Sequence, residues 1–141
     1  MAVASKPPLD VGTVLLTVAS AGIGRALAEE LAPRAGKLVV VARRMERLEA
    51  LAEALRKKHP RLEVHVRGCD LGDVGAARAL VGEVERSVGP VDVLVNNAGV
   101  GDIGMFDLAD WDRLEKMITL NVTSLAALTH AADWRAYQAP L

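Results

Sequence analysis

Apolar positions along this chain follow two alternating rhythms. Thr13 to Thr17 (T-V-L-L-T), Lys37 to Ala42 (K-L-V-V-V-A) and Val91 to Val95 (V-D-V-L-V) are short runs rich in Val and Leu. Such runs read as strands buried on both faces of a sheet. Leu62 to Arg67 alternates instead, with Leu62, Val64 and Val66 on one face and Glu63, His65 and Arg67 on the other. That pattern predicts an edge-like strand. Between the strands the period changes to that of a helix. Gly22 to Pro33 places Ile23, Leu27 and Leu31 on one side and Glu29 and Glu30 on the other. Met45 to Lys58 gathers Leu48, Leu51, Ala52 and Leu55 on one face, and His59-Pro60 stops it. Asp73 to Val88 turns Val74, Ala77, Leu80, Val81, Val84 and Val88 inward, with Asp73 as N-cap. A loop from Asn96 to Phe106 leads to a last helix, about Asp110 to Ala131, with Leu114, Met117, Ile118, Leu125 and Leu128 as its apolar face. Strands alternating with helices predict right-handed crossovers and a parallel α/β sheet.

Composition narrows the picture. With 141 residues, one domain is expected: a lead-in over 1–12, a folded body over 13–131 and an atypical end over 132–141. Hydrophobic residues make up 51% and aromatic ones 3%, so the core is built from Leu, Val and Ala. The net charge of -1 gives no electrostatic case for a nucleic-acid or anionic-membrane partner. No apolar run approaches the roughly 18–20 residues of a membrane span. Cys69 is the single cysteine and suits a reducing compartment, and no secretion signal is seen, so a cytoplasmic location is expected. His59, His65 and His130 show no ligand spacing, so no metal is expected.

Candidate chemistry gathers in the turns after the strands, where open α/β sheets bind ligands. Val14 to Leu31 reads as strand, small-residue turn and helix, the layout of a phosphate cradle. The turn supplies Ala19, Ser20, Ala21, Gly22, Ile23 and Gly24, but no G-K-[ST] follows, which sets it apart from a P-loop. Arg43 and Arg44 follow the second strand. They either open the next helix or meet a phosphate. The positive dipole at a helix start disfavours arginine, which tilts Arg43 toward a 2′-phosphate. Asp70, before Leu71, reads equally as an acceptor for an adenine amine or as a turn acid. Asn121 falls inside the apolar stripe of the last helix and needs partners there. Trp111 reads as a packing residue.

The fourth strand ends in Asn96-Asn97-Ala98-Gly99. Together with Thr17 to Gly24, Asp70-Leu71 and Asn121 in L-N-V-T-S, this makes the chain strongly resemble the short-chain dehydrogenase/reductase family from about Thr13 to His130. The resemblance implies a Rossmann-type parallel sheet in the order 3-2-1-4, with helices on both faces. It implies a nicotinamide cofactor, NADP(H) rather than NAD(H) given Arg43, and a small carbonyl or alcohol substrate. Thr17 would then belong to the cofactor loop, Asn97 and its neighbours would border the cofactor, and Asn121 would hold a water in a proton relay. Gly101 to Phe106 would border the substrate side.

Two departures stand out. Val18 replaces the family's first glycine. A β-branched residue held in a left-handed turn costs on the order of 1–3 kcal/mol and crowds the adenosine side. The family's catalytic Ser and Tyr-x-x-x-Lys have no counterpart: Ser124 lies inside the Asn121 helix, and Tyr137 is followed four residues on by Leu141. The expectation is a cofactor-binding half, truncated after the helix that follows strand four, with strand four as an exposed apolar edge open to self-association. Two functions therefore stand as alternatives. One is an NADP(H)-dependent oxidoreductase lacking its Ser, Tyr and Lys here; the other is a catalytically inactive nucleotide-binding or interaction fragment.

Overall fold

The structure, a computed structural model, describes residues 10, 12–18 and 20–132. Ala19, Tyr137 and Leu141 lie outside the described residues, as does most of the expected lead-in and of the atypical end.

Four parallel strands form one sheet in the order β3-β2-β1-β4. They are β1 (Thr13–Thr17), β2 (Lys37–Ala42), β3 (Glu63–Gly68) and β4 (Val93–Val95). Every residue of β1 is buried, as expected for a central strand covered on both faces. Helices α1 (Gly22–Leu31) and α2 (Met45–Lys58) cover one face. There Val14, Leu16, Leu38 and Val40 pack with Ala28, Leu48, Leu51 and Leu55. Helix α3 (Val74–Ser87) and the later α5 (Leu125–Ala131) cover the other. Leu15, Val39 and Val41 meet Leu80, Val81, Val84 and Leu128 on that side. Alternation along β1, β2 and β4 thus feeds two separate cores, whereas β3 contributes Val64 and Val66 to the first alone.

Several elements differ from the sequence expectation, each for a local reason. Helix α1 ends at Leu31, short of Pro33, because the chain turns there, with Arg34 and Ala35 N–H groups both donating to the Leu31 carbonyl. Its inward line runs through Gly24 and Ala28, with Leu27 and Leu31 partly buried, whereas Ile23 is 74% exposed. Small residues let α1 approach the sheet closely, and that rotates Ile23 outward. Strand β4 starts at Val93 rather than Val91. The Asp92 carboxylate takes the Thr13 N–H at 2.7 Å, so a side chain stands where a ladder carbonyl would be.

The last helix is not one helix. It comprises α4 (Trp111–Ile118), a π-helical stretch over Thr119–Ser124, and α5. Ile118 and Leu125, assigned to the buried face, are exposed, and so is Trp111 at 65%. Leu114, Ser124 and Leu128 point inward. The spacing 114, 117, 121, 124, 128 passes unbroken through the π stretch, so apolar periodicity carries no trace of it.

Strand β4 is one edge of the sheet, and its three residues are half-buried. Among the described residues no helix is long and apolar enough to cross a membrane.

Candidate functional site

A cavity of about 590 Å³ opens at the carboxyl ends of the strands. Most of its wall comes from the turns after the strands, with Arg47 of α2, Lys116 of α4 and Leu120 of the π stretch completing it. Val18, Ser20 and Ala21 follow β1, Arg43 and Arg44 follow β2, Asp70 and Leu71 follow β3, and Gly99 and Val100 follow β4.

The turn after β1 is shaped by two glycines with different duties. Gly22 has φ +56 and nothing within 4 Å of where a Cβ would stand, so it serves the backbone conformation. Gly24 serves close approach: a Cβ there would collide with the Val18 carbonyl oxygen and come within 2.6 Å of Asn97 Nδ2. Helix α1 then begins after its N-cap residue Ala21, with no side-chain cap and no acidic residue in its first turn. Its first N–H groups are left for an outside acceptor, and the dipole favours that acceptor being an anion. Val18 has φ 53, the left-handed conformation expected of it. Its carbonyl accepts from Asn97 Nδ2 at 3.2 Å, one contact that holds the strained turn.

Thr17 is buried and serves as the joint between β1 and β4. Its hydroxyl donates to Val95 O at 3.2 Å and accepts from the N–H groups of Asn97 at 2.9 Å and Ala98 at 3.0 Å. The hydroxyl is thus engaged within the protein, where it ties the β1 turn to the turn after β4. Asn97 bonds back to the Thr17 and Val18 carbonyls through Nδ2. Asn96 turns to the other side, donating to Thr129 Oγ1 at 2.9 Å. Thr17, Gly22, Ile23, Gly24, Asn96, Asn97 and Ala98 therefore build the cradle without lining the cavity, whereas Ser20, Ala21, Arg43, Arg44, Asp70, Leu71 and Gly99 line it.

Arg43 and Arg44 are exposed and, among the described residues, neither forms an ion pair. Arg44 is also the N-cap residue of α2, without a side-chain cap bond. Asp70 Oδ1 accepts from Gly72 N–H at 2.9 Å, so the turn-acid reading of this residue is observed. Cys69 lines the cavity beside it, and burial first, then the carboxylate of Asp70, pushes its thiol above the ordinary range. Thiolate is thus scarce at neutral pH, which argues against a nucleophile.

Asn121 lies in the π stretch and is half-buried rather than fully so. Its Oδ1 accepts from Val100 N–H at 2.9 Å and its Nδ2 donates to Val100 O at 2.7 Å. Both ends of the amide are used to fix the backbone that follows Gly99. π-Helical turns leave main-chain groups out of the regular ladder and recur at functional sites. Ser124 Oγ, in the same stretch, is buried without a partner among the described residues.

Among the cavity residues that escaped sequence reasoning are Gly72, Val100, Leu120 and two cations: Arg47, in the first turn of α2, and Lys116, near the end of α4. Arg47 stands three positions after Arg44, the N-cap residue of α2, a signal that was available in the helix spacing. Lys116 carries no such signal.

Known proteins give the same picture. The family model for short chain dehydrogenases matches residues 12–133. Sulfoacetaldehyde reductase 2 of Chromohalobacter salexigens is 38% identical over 125 residues, which cover 84% of this chain and 46% of that protein. The NADP-dependent 3-hydroxy acid dehydrogenase of Schizosaccharomyces pombe is 36% identical over 126 residues, 87% of this chain and 48% of its own length. The short-chain dehydrogenase from Sphingobium yanoikuyae in complex with NADPH superposes with a TM-score of 0.78 at 37% identity, covering 89% of this chain and 48% of that one. The chain spans about half the length of the curated relatives it matches. With strand order, glycine turn and Asn-Asn-Ala-Gly turn in place, the chain belongs to the short-chain dehydrogenase family.

Proposed function

We propose that this chain is the cofactor-binding half of an oxidoreductase that moves a hydride between NADP(H) and the carbonyl or alcohol carbon of a small molecule. The observation that carries this reading is the cavity itself: Arg43 and Arg44, free of ion pairs among the described residues, share it with an uncapped helix start. The residues fit a phosphorylated dinucleotide. The α1 start would take the pyrophosphate. Arg43 and Arg44 would take the 2′-phosphate, since a planar guanidinium suits a phosphate and repels no charge on it. Asp70, with Oδ1 engaged by Gly72, would present Oδ2 to the adenine amine. Gly99 and Val100, fixed by Asn121, would border the ribose.

When bound, the nicotinamide supplies hydride chemistry at C4. The part of Asn121 in proton movement would run through its main chain, because the side-chain amide is already paired with Val100. Reduced bonding in the π stretch would leave a carbonyl there to hold a water. The groups that donate the substrate's proton lie outside the described residues.

The second reading is a nucleotide-binding module that associates through its surface without turnover. It is supported by the β4 edge and by Ile103, Met105, Phe106, Leu108 and Trp111, all more than 60% exposed. Exposed apolar clusters of this kind mark interaction surfaces.

Calorimetric titration with NADPH, and NADH as control, tests the first reading. Saturable binding tighter for NADPH supports it; a folded chain that binds neither dinucleotide overturns it. Binding without NADPH oxidation across a panel of aldehydes and ketones, together with a concentration-dependent oligomer in sedimentation, would favour the second.

A further inference from the structure

The cavity takes its cations from two sets of elements. One set, the turn after β2 and the start of α2, carries Arg43, Arg44 and Arg47. The other, α4 and the π stretch, carries Lys116 along with Leu120. Resting on the cofactor reading above, we propose that Lys116, which lines the same cavity as the arginines, is a phosphate-binding residue that joins them at the 2′-phosphate and so contributes to the choice of NADPH over NADH.

Three observations support it. Lys116 and Leu120 are four residues apart and line the same cavity, so they share one helical face toward it. Lys116 forms no ion pair among the described residues, although Asp112 stands four positions before it on the same helix. The ordinary reason for a lysine in a last helical turn is also missing. Such a cation complements unpaired terminal carbonyls. Here α4 runs on into the π stretch, and the Thr119 N–H already donates to the Glu115 and Lys116 carbonyls. What Lys116 does face is a cavity with four cations and a single carboxylate, Asp70, on its walls. A ligand that balances this excess carries more than the two charges of a pyrophosphate.

The test compares NADPH and NADH affinities of the purified chain with those of Lys116→Met and Lys116→Arg, at low and at high salt. Lys116→Met is expected to weaken NADPH binding about fivefold and NADH binding less than about twofold, as befits one solvent-exposed charge contact. Lys116→Arg is expected to retain NADPH affinity. At about 1 M salt, where screening acts within ~3 Å, the Lys116→Met difference is expected to vanish. A packing defect would persist in salt and would weaken both cofactors alike, and either result overturns the proposal. Unchanged NADPH affinity in Lys116→Met overturns it too, while leaving the cofactor reading intact. A folded wild-type chain that binds neither dinucleotide overturns that reading and this inference with it.

Discussion

Helices α1 and α3 begin with the same physical problem and meet it in opposite ways. Each start exposes N–H groups that have no partner within the helix. At α3, Asp73 Oδ1 accepts from Ala76 N–H at 3.0 Å, and its charge complements the dipole. At α1 the corresponding residue is Ala21, with no acceptor, followed by a glycine with φ +56 and open space. Helix α4 follows the α3 pattern, capped by Asp110. Helix α2 follows the α1 pattern, with Arg44 at its start and no side-chain cap bond. Helix α5 continues directly from the π stretch; of the four α-helices that begin after a turn, the two without a side-chain cap bond, α1 and α2, are the two whose starts line the cavity. A helix start that carries its own acceptor serves stability, and one that lacks it is available to an anionic ligand.

The strongest way to break this contrast is to close the α1 cradle. In Gly24→Ala the added methyl meets the Val18 carbonyl and Asn97 Nδ2. Loss of saturable NADPH binding is expected, with destabilisation of about 1–3 kcal/mol from overpacking, read by calorimetry and urea unfolding. Unchanged affinity would show that the close contact is not needed.

The sharpest test makes α1 resemble α3. Ala21→Asp supplies the missing cap, and helix stability is expected to rise by about 0.5–1 kcal/mol. The same carboxylate would occupy the anion's place, so NADPH affinity is expected to fall at least about tenfold. A gain in stability with no loss of affinity would separate the helix start from the site. The converse change is the mildest. Asp73→Ala is expected to cost about 1 kcal/mol in urea unfolding and to leave NADPH affinity unaltered, since that cap lies at a helix start outside the cavity. A parallel drop in affinity would show that the two starts are not independent.

Much of this arrangement is legible in the chain because it is local. The strands show in runs such as K-L-V-V-V-A, and the α3 cap shows in Asp73, one residue before the helix starts. The unfavourable turn at Val18 follows from a β-branched residue standing before a glycine turn, and its φ of 53 agrees. Other features are absent from any local window. Ile23 has the right spacing for a buried face and yet is exposed, because how closely α1 approaches the sheet decides its rotation. Ile118 and Leu125 fail for the same reason: a stripe states which residues share a face, not what lies against it.

By itself, the sequence determined the alternation of strand and helix, the glycine turn, the basic turn after β2 and the membership of a family, since all of these are written in neighbouring residues. Only the tertiary structure decided that Thr17 joins the β1 turn to the turn after β4, that Asn121 clamps Val100, and that Lys116 lines the same cavity as three arginines. Each of those pairs residues about 20 to 80 positions apart in the chain. Their contact arises from how the sheet and its helices pack, which no short stretch of sequence can specify.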